Sequence, residues 1–169
     1  MPLHPIVVHL PIALAVLMPI ITAGILIAWS RGALQRRTWV LAIALQALLV
    51  GSAIAALRSG EAEEDRVEAT VPEAAIEAHE EAAEGFLLGA GIVLALTLGA
   101  ALIPRDRAAR AVATLATVGT LGVLGLGYRT GKAGGELVYR YGAAAAYTSP
   151  TAPGEMPAGT EHENHGGER

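Results

Sequence analysis

Residues 6–30 read IVVHLPIALAVLMPIITAGILIAWS, a run without a single Asp, Glu, Lys or Arg. About 20 apolar residues in a helix suffice to cross a hydrocarbon core that is roughly 30 Å thick. Three further uncharged runs follow, and they cover residues 38–57, 86–103 and 111–128. None of these runs has the polar face that a helix of a soluble core carries. The sequence therefore predicts an all-α integral membrane protein, a bundle of four transmembrane helices.

The composition agrees with this prediction and limits the chemistry that the chain can carry. Hydrophobic residues make up 53% of the 169 residues and aromatic residues only 4%, which is typical of membrane proteins. Because the chain has no cysteine, thiolate zinc sites, iron–sulfur clusters and covalently attached c-type haem are excluded. No basic segment precedes the first run, and the run is longer than the apolar part of a secretory signal. We therefore expect it to remain in the mature protein.

Arginines and carboxylates are separated between the loops. The loops after the first and third runs are rich in arginine and contain Arg31, Arg36, Arg37, Arg105, Arg107 and Arg110. The loop between the second and third runs, residues 58–85, carries ten carboxylates and two arginines. Because short arginine-rich loops stay in the cytoplasm, the charges predict a multi-pass protein with both termini outside. They give no support to nucleic-acid binding.

The third helix is predicted to begin well outside the bilayer. Thr70 or Val71 is the expected cap, and Pro72 is placed in the first turn, where proline is tolerated. From there the helix is expected to run to Ile103, since a proline follows, so that its first turns project beyond the hydrocarbon. On these turns His79 falls on the apolar stripe and the glutamates fall on the other faces. His79 is therefore predicted to face the bundle.

The four-span domain is expected to cover residues 1–147 and to end with an outer-face segment, residues 129–147. This segment contains the glycine-broken stretch RTGKAGGELVYRYG, which predicts a turn and a short helix that folds back along the outer surface. Residues 148–169 are rich in Pro, Gly, Glu and Asn, so this tail is predicted to be disordered.

Three features inside the runs have predicted packing roles. Pro11 and Pro19 each remove a backbone donor and are expected to bend the first helix. Gln46 stands alone in the second run and is predicted to hydrogen-bond a neighbouring helix. Small residues recur at intervals that let helices approach closely; they are Gly51, Ala55, Gly85, Gly89, Gly119, Gly122 and Gly125.

Three histidines are predicted to meet at the outer face, and His4, His9 and His79 are the candidate cofactor-binding residues. His4 and His9 lie at the outer end of the first helix, and His79 lies just above the outer end of the third. His4 and His9 are five residues apart and point about 140° away from each other on an ideal helix. One of them can therefore face His79 without the other. Ionisable groups near the membrane boundary are candidate functional residues.

Three arrangements of these histidines are open. Two imidazoles from facing helices suit the axial ligation of a b-type haem. With a carboxylate, the set His9, His79 and Glu80, or Glu84 in place of Glu80, suits a divalent metal. In the cofactor-free arrangement, His4 caps the helix, and the other two imidazoles bond to backbone carbonyls or to loop carboxylates.

Four blocks of the sequence resemble a bacterial family of small four-span membrane proteins, which is known as a domain of unknown function. The blocks are HPIVVHLPIAL from His4, SGEAEEDRV from Ser59, EAHEEAAEG from Glu77 and TGKAGGELVYRYG from Thr130. Positions that match the family's motif include His4, Pro5, Val8, His9, Gly60, Ala62, Glu64, His79, Glu80, Gly134 and Gly135. The last block of the family usually has a histidine where this chain has Lys132, so a ligand role for that position is not carried over.

The resemblance implies a link to electron transfer, because members are similar to, or joined with, redox modules such as cytochrome c or Rieske domains. The leading hypothesis is a non-catalytic inner-membrane protein with an outer-face histidine site. It would serve electron transfer through a b-type haem, with cytochrome c or another redox protein as its partner. One alternative is a cofactor-free accessory or scaffold subunit that packs against a larger membrane complex. Another is a divalent-metal-binding or transport protein.

Overall fold

The computed structural model describes residues 4–147, and this part of the chain is built from helices without a strand. The helices are α1 (His4–Val7), α2 (His9–Ser30), α3 (Trp39–Glu61), α4 (Glu64–Val67), α5 (Glu73–Leu102) and α6 (Asp106–Tyr139). Short 3₁₀ helices lie at Arg36–Thr38 and Ala143–Tyr147. The segment of α1 with α2, and the helices α3, α5 and α6, are each long and apolar enough to cross a membrane. The predicted all-α bundle of four spans is confirmed.

The four long helices form a ring in the order α2, α3, α5 and α6. Each packs against its two neighbours, and the contact between α5 and α6 is the most extensive. It follows that α2 lies across the bundle from α5. Successive long helices run in opposite directions, so the bundle has two distinct ends. We call them the histidine end, which holds His4, Gly60, His79 and Gly134, and the arginine end, which holds Arg36 and the connection between α5 and α6.

Small side chains fill the centre of the bundle, and large apolar side chains cover its outside. The fully buried alanines are Ala42, Ala90, Ala100, Ala109 and Ala113. On the outer surface, Leu102 is 80% exposed, Ile20 is 70% exposed and Leu88 is 68% exposed. An apolar surface of this extent is unfavourable in water and suits hydrocarbon. The lipid bilayer is therefore the immediate environment of the four long helices.

Polar side chains inside the bundle bond to the backbone of the neighbouring helix. Gln46 is fully buried, and its Nε2 donates to the carbonyl oxygen of Ala90 at 3.0 Å. Trp39 Nε1 donates to the carbonyl oxygen of Thr97 at 3.0 Å. Both bonds run from α3 to α5, and they hold these helices at a fixed register. The prediction that Gln46 is an interhelical hydrogen-bond partner is confirmed.

Arg36 lies in the connection between α2 and α3 and bonds to the end of α5 at the arginine end. Its guanidinium donates to the carbonyl oxygens of Ala100 and Ala101 at 3.0 and 2.9 Å, and also to that of Ile103. The carbonyls of the last helical turn lack partners within the helix, and a cation there also complements the helix dipole. Arg36 therefore caps the C-terminus of α5.

Only some of the predicted small-residue positions lie at contacts between helices. A methyl group at Gly89 would lie 2.7 Å from Leu126 Cδ1, and one at Gly119 would lie 2.8 Å from Val93 Cγ2. These two glycines allow the close contact between α5 and α6. A methyl group would meet open space at Gly51, Gly85, Gly122 and Gly125. The faces that contain Gly51, Ala55, Gly122 and Gly125 lie on the outside of the bundle.

The two prolines of the first span act differently. The helix is interrupted at Val8, three residues before Pro11. Pro11 has no N–H to bond the carbonyl of Val7, but Val8 keeps helical angles, and the hydrogen bonds from Val8 N–H to His4 and from Ile12 N–H to Val8 remain. Pro19 lies inside α2, and the helix continues without interruption to Ser30.

The start of α5 corrects one sequence prediction. Pro72 has the extended backbone of an N-cap residue, and the helix begins at Glu73. The expectation that Pro72 occupies the first turn is therefore wrong by one position. The helix ends at Leu102, and Ile103 is already extended, because the residue before a proline disfavours helical angles.

The turn predicted for residues 129–147 comes later than the glycine-rich stretch, because α6 continues through that stretch to Tyr139. Glycine inside a helix costs about 1 kcal/mol relative to alanine. Contacts with α5 offset that cost here, since Thr130 Oγ1 donates to the carbonyl oxygen of Ala82 at 2.8 Å. The expected reversal comes later, at Gly142, whose φ of +74° is a conformation that glycine adopts readily.

After this reversal, Ala143 packs against Val71 and Ile76 at the start of α5. This small apolar cluster covers the projecting part of α5. Residues 1–3 and 148–169, which include the tail predicted to be disordered, lie outside the described residues.

Candidate cofactor site

α1 places His4 at the histidine end, half-buried against α3. Its Nδ1 lies 2.9 Å from the carbonyl oxygen of Ala56 and 3.1 Å from Ser59 Oγ. The backbone N–H of His4 donates to Glu63 Oε1 at 3.4 Å. Because the first N–H groups of a helix lack an acceptor within it, this carboxylate serves as a cap for α1. Both the ring and the backbone of His4 are thus held by α3 and the residues after it.

His79 lies on α5 and is half-buried against α6, as its place on the apolar stripe predicts. Its Nδ1 lies 3.2 Å from the carbonyl oxygen of Thr130. The hydroxyl of Thr130 lies 2.8 Å from the carbonyl oxygen of Ala82 and 3.1 Å from that of Leu126. One threonine of α6 therefore bonds both to the His79 ring and to the backbone of α5 one turn further on.

The imidazoles of His4 and His79 meet across the bundle. Their ring centroids are 6.2 Å apart, and the ring planes are inclined at 87°. A carbonyl oxygen only accepts, so Nδ1 carries the proton in each neutral ring and Nε2 carries the lone pair. Within residues 4–147 no hydrogen bond engages Nε2 of either ring. Each ring of the pair therefore has one lone-pair nitrogen free to bind a ligand.

Glycines of the other two helices flank the pair. A methyl group at Gly60 of α3 would lie 3.3 Å from His4 Cε1, and one at Gly134 of α6 would lie 3.1 Å from His79 Cε1. A larger residue at either position would press on the ring beside it. The four sequence blocks thus meet at one point, because each of them contributes one of these four residues.

His9 lies outside the pair. It is exposed on the first turn of α2. The backbone from His4 to His9 stays close to helical, so a spacing of five residues points the two side chains in different directions. Among residues 4–147, no group of three or more His, Asp or Glu side chains lies close enough together to hold a metal ion. The alternative metal set of His9, His79 and Glu80 is therefore not assembled.

The electrostatics favour a neutral His79. This residue precedes the apolar run 86–103 by two helical turns and lies among glutamates, outside the hydrocarbon. Burial lowers the pKa of His79 below its usual 6.5, the positive charge that His4 can carry lowers it further, and the hydrogen bond to Thr130 partly offsets both. A metal ligates the neutral form of imidazole. The site thus keeps His79 in the form that ligation requires.

Glu80 belongs to the acidic surface beside the pair. Burial raises the pKa of its carboxyl group, and the nearby carboxylates of Glu64 and Glu61 raise it further, because like charges disfavour ionisation. Glu64, which matches the family motif, begins α4. Both residues contribute negative charge around the histidine end, and neither completes a metal-binding group with the imidazoles.

The other motif positions line no part of the pair. Pro5 is exposed on α1, and a methyl group at Gly135 would meet open space. The side chain of Lys132 is 65% exposed, and its Nζ lies 3.8 Å from Glu136 Oε1. Lys132 thus extends into solvent beside its own helix.

The pair offers two imidazoles, and the described residues add no third ligand to them. Two aromatic rings in an edge-to-face contact have centroids about 4.5–7 Å apart. The observed centroid separation of 6.2 Å, with ring planes inclined at 87°, is that of such a contact. A zinc-type ion takes three or four protein ligands, whereas a haem brings four nitrogens and needs axial ligands alone. Two imidazoles without a third protein ligand among the described residues are too few for a bare zinc-type ion, and His4 and His79 would hold a group that brings further ligands of its own.

The hydrogen bonds also match part of the cofactor-free arrangement. In that arrangement the imidazole of His79 bonds to a backbone carbonyl, as it does to that of Thr130, and the His4 ring here has a carbonyl partner as well. Each of these bonds uses only Nδ1, however, and a carbonyl partner on Nδ1 is also what orients an imidazole that ligates a metal through Nε2.

Sequence reasoning did not identify the groups that hold the rings. The carbonyls of Ala56 and Thr130 were not candidates, because every residue has a carbonyl and the pattern of side chains does not mark one. A signal was present in the spacing: Ala56 precedes Gly60 by four residues, and Thr130 precedes Gly134 by four. Residues four apart share a helix face, so each glycine of the motif lies above the carbonyl that its neighbouring histidine uses.

The four apolar spans and the pair of imidazoles at one end define a small multi-span helical membrane protein with a two-histidine site. The family model described as "Predicted membrane protein (DUF2231)" matches residues 1–146, and the chain belongs to this family. The family membership that the four sequence blocks predict is thereby confirmed. Among the curated proteins and the solved structures, the comparisons find no match to this chain.

Proposed function

We propose that this chain is a non-catalytic electron-transfer protein of the bacterial inner membrane, in which His4 and His79 hold the iron of a b-type haem. The observation that carries the proposal is the pair itself: two imidazoles 6.2 Å apart, each with Nδ1 bonded to a carbonyl and Nε2 free. His9, which the sequence also offers as a ligand, takes no part.

The surroundings support the same assignment. Carbonyl partners on Nδ1 fix the ring orientation and make Nε2 a better ligand. Carboxylates of the acidic loop lie at the same end of the bundle as the pair, and Glu63 accepts from the backbone N–H of His4. A b-type haem with two axial imidazoles supplies one-electron transfer. Negative charge around the site favours a redox partner with a basic surface, such as a cytochrome c.

The test is an absorption spectrum of the full chain, purified in mild detergent from cells supplied with haem, in oxidised and reduced forms. We expect a Soret band that is lost in His4→Ala and in His79→Ala. The matched control is His9→Ala, which removes an exposed imidazole of the same helical segment and should keep the band. A colourless wild-type protein, or a band that depends on His9 and not on His4, would refute the proposal.

A second candidate function is an accessory subunit that packs against a larger membrane complex. The small-residue faces favour it, because Gly51, Gly122 and Gly125 have open space around them on the outside of the bundle. Small residues at the surface of a transmembrane helix allow another helix to approach closely. In this case Gly122→Leu should release the chain from a larger assembly on native gels of solubilised membranes, and Gly91→Leu on α5 should not.

A further inference from the structure

A groove runs along the outside of the contact between α5 and α6, near the histidine end. Its volume is about 540 Å³, and neither His4 nor His79 lines it. Leu88 and Leu126 form its apolar part, and Gly85 contributes a stretch of bare backbone to its wall. Glu81, Glu84 and Arg129 line its polar part.

The groove lies at the boundary of the bilayer. Glu84 is the last charged residue before the apolar run 86–103, and Arg129 is the first charged residue after the apolar run 111–128. Tyr128, next to Arg129, is 73% exposed, and exposed tyrosines of this kind mark the headgroup layer. The apolar part of the groove is therefore level with the start of the acyl chains, and the polar part is level with the headgroups.

The charges in the polar part do not neutralise one another directly. Over residues 4–147 the ion pairs within 4.0 Å are Arg110 with Asp106 and Lys132 with Glu136. Arg129 is in neither pair, although Glu81 and Glu84 line the same groove. The groove thus presents one cation and two anions, at the depth of the headgroups, above an apolar wall.

We propose that this groove binds a phospholipid with a primary amine in its headgroup, of the phosphatidylethanolamine type. The guanidinium of Arg129 matches the phosphate, because arginine binds phosphate oxygens through charge-assisted hydrogen bonds. The carboxylates of Glu81 and Glu84 match the ammonium group. An acyl chain then lies against Leu88 and Leu126.

The chemistry of the headgroup distinguishes phosphatidylethanolamine from other common phospholipids. Phosphatidylcholine also carries a positive nitrogen, but its methyl groups leave no N–H to donate to Glu81 or Glu84. Phosphatidylglycerol has a net negative charge and no ammonium, so the two carboxylates repel it. The open space at Gly85 is also explained, since a side chain there would project into the groove.

The experiment measures bound lipid by native mass spectrometry of the full chain in detergent. The protein is first stripped of lipid and then incubated with equal amounts of phosphatidylethanolamine and phosphatidylcholine that carry the same acyl chains. We expect about tenfold more bound phosphatidylethanolamine, because loss of hydrogen bonds to a charged group reduces affinity by that order. The Glu81→Gln/Glu84→Gln double variant should bind the two lipids equally, and Arg129→Gln should bind less of both.

Two pairs of variants keep the result interpretable if one protein folds poorly. Gly85→Leu fills the groove and should exclude both lipids, whereas Gly91→Leu places the same side chain in open space on α5 outside the groove and should not. Glu77→Gln removes an exposed carboxylate of α5 that does not line the groove and should keep the preference. Equal binding of both lipids by the wild type, or a preference for phosphatidylglycerol in a parallel mixture, would overturn the proposal.

Discussion

At the scale of single residues, the two adjacent glycines of the last sequence block have different surroundings. Gly134 and Gly135 are neighbours in α6, but a methyl group would lie 3.1 Å from His79 Cε1 at the first and would meet nothing within 4 Å at the second. The motif therefore contains one glycine whose missing side chain leaves room for an imidazole. The second glycine has no such contact within the described residues.

This difference predicts opposite outcomes for two alanine variants. Gly135→Ala should keep the haem and raise the unfolding midpoint slightly, since alanine is better than glycine in a helix by up to about 1 kcal/mol. Gly134→Ala should displace the His79 ring and lower the amount of haem per protein. Haem content and thermal unfolding in detergent measure both effects. Equal haem content in the two variants would show that the Gly134 contact does not position the ring.

The protonation of His79 predicts a pH dependence of stability. The pKa of His79 is lowered in the folded protein, so the unfolded chain binds this proton more readily. The free energy of unfolding therefore decreases as the pH is lowered below about 6.5. Glu80, whose pKa is raised, acts in the opposite direction. The contribution of His79 is therefore the difference between wild type and His79→Gln, both without cofactor, compared at pH 8 and pH 5. Identical slopes for the two proteins would contradict the neutral, half-buried state of this ring.

At the scale of helices, Arg36 links the connection between α2 and α3 to the end of α5 through hydrogen bonds. Arg36 and Arg37 are adjacent and belong to the same cluster of basic residues, but only Arg36 donates to the carbonyls that end α5. The positive charge of the loop bears on the orientation of the protein, and one member of the cluster has the additional task of capping a helix.

Substitution of these two arginines should therefore have unequal effects. Arg36→Gln should lower the free energy of unfolding by about 1–2 kcal/mol, because several charge-assisted hydrogen bonds and a favourable helix-end charge are lost. Arg37→Gln removes the same charge from an exposed position and should change stability by less than about 0.5 kcal/mol. Thermal and denaturant unfolding in detergent give the comparison. A similar loss for both would assign the effect to net charge alone.

Local periodicity in the sequence predicts one part of the helical structure, and contacts between helices decide the other part. The four spans follow from uncharged runs, and the inward face of His79 follows from helical spacing, because both depend on local periodicity. The continuation of α6 through Gly131, Gly134 and Gly135 does not follow from local periodicity. Glycine disfavours a helix locally, and contacts with α5 decide the outcome. The choice of His4 over His9 likewise depends on acceptors from α3.

At the scale of the whole molecule, the separation of charge between the two ends predicts the orientation in the membrane. A reporter inserted at Gln35, in the arginine-rich connection, should be active only in the cytoplasm. A second reporter after Ala69, in the exposed connection between α4 and α5, should be active only on the outer side. Signals on the opposite sides would reverse the sidedness and would place the imidazole pair toward the cytoplasm.

The central claim at this scale is that α1 and α5 bring one particular pair of histidines together. The absence of cysteine from the natural sequence allows a direct test with a His4→Cys/His79→Cys double variant, treated in membranes with a short bifunctional thiol reagent. A specific protease site inserted after Ala69 then separates the two halves unless the reagent joins them. The matched control is His9→Cys/His79→Cys.

We predict that the His4 and His79 positions are joined, so that the cleaved chain still migrates as one band on a denaturing gel. The control chain, with its thiol at the exposed position 9, should separate into two fragments. Efficient joining from position 9 together with none from position 4 would contradict the pairing on which the proposed haem site depends.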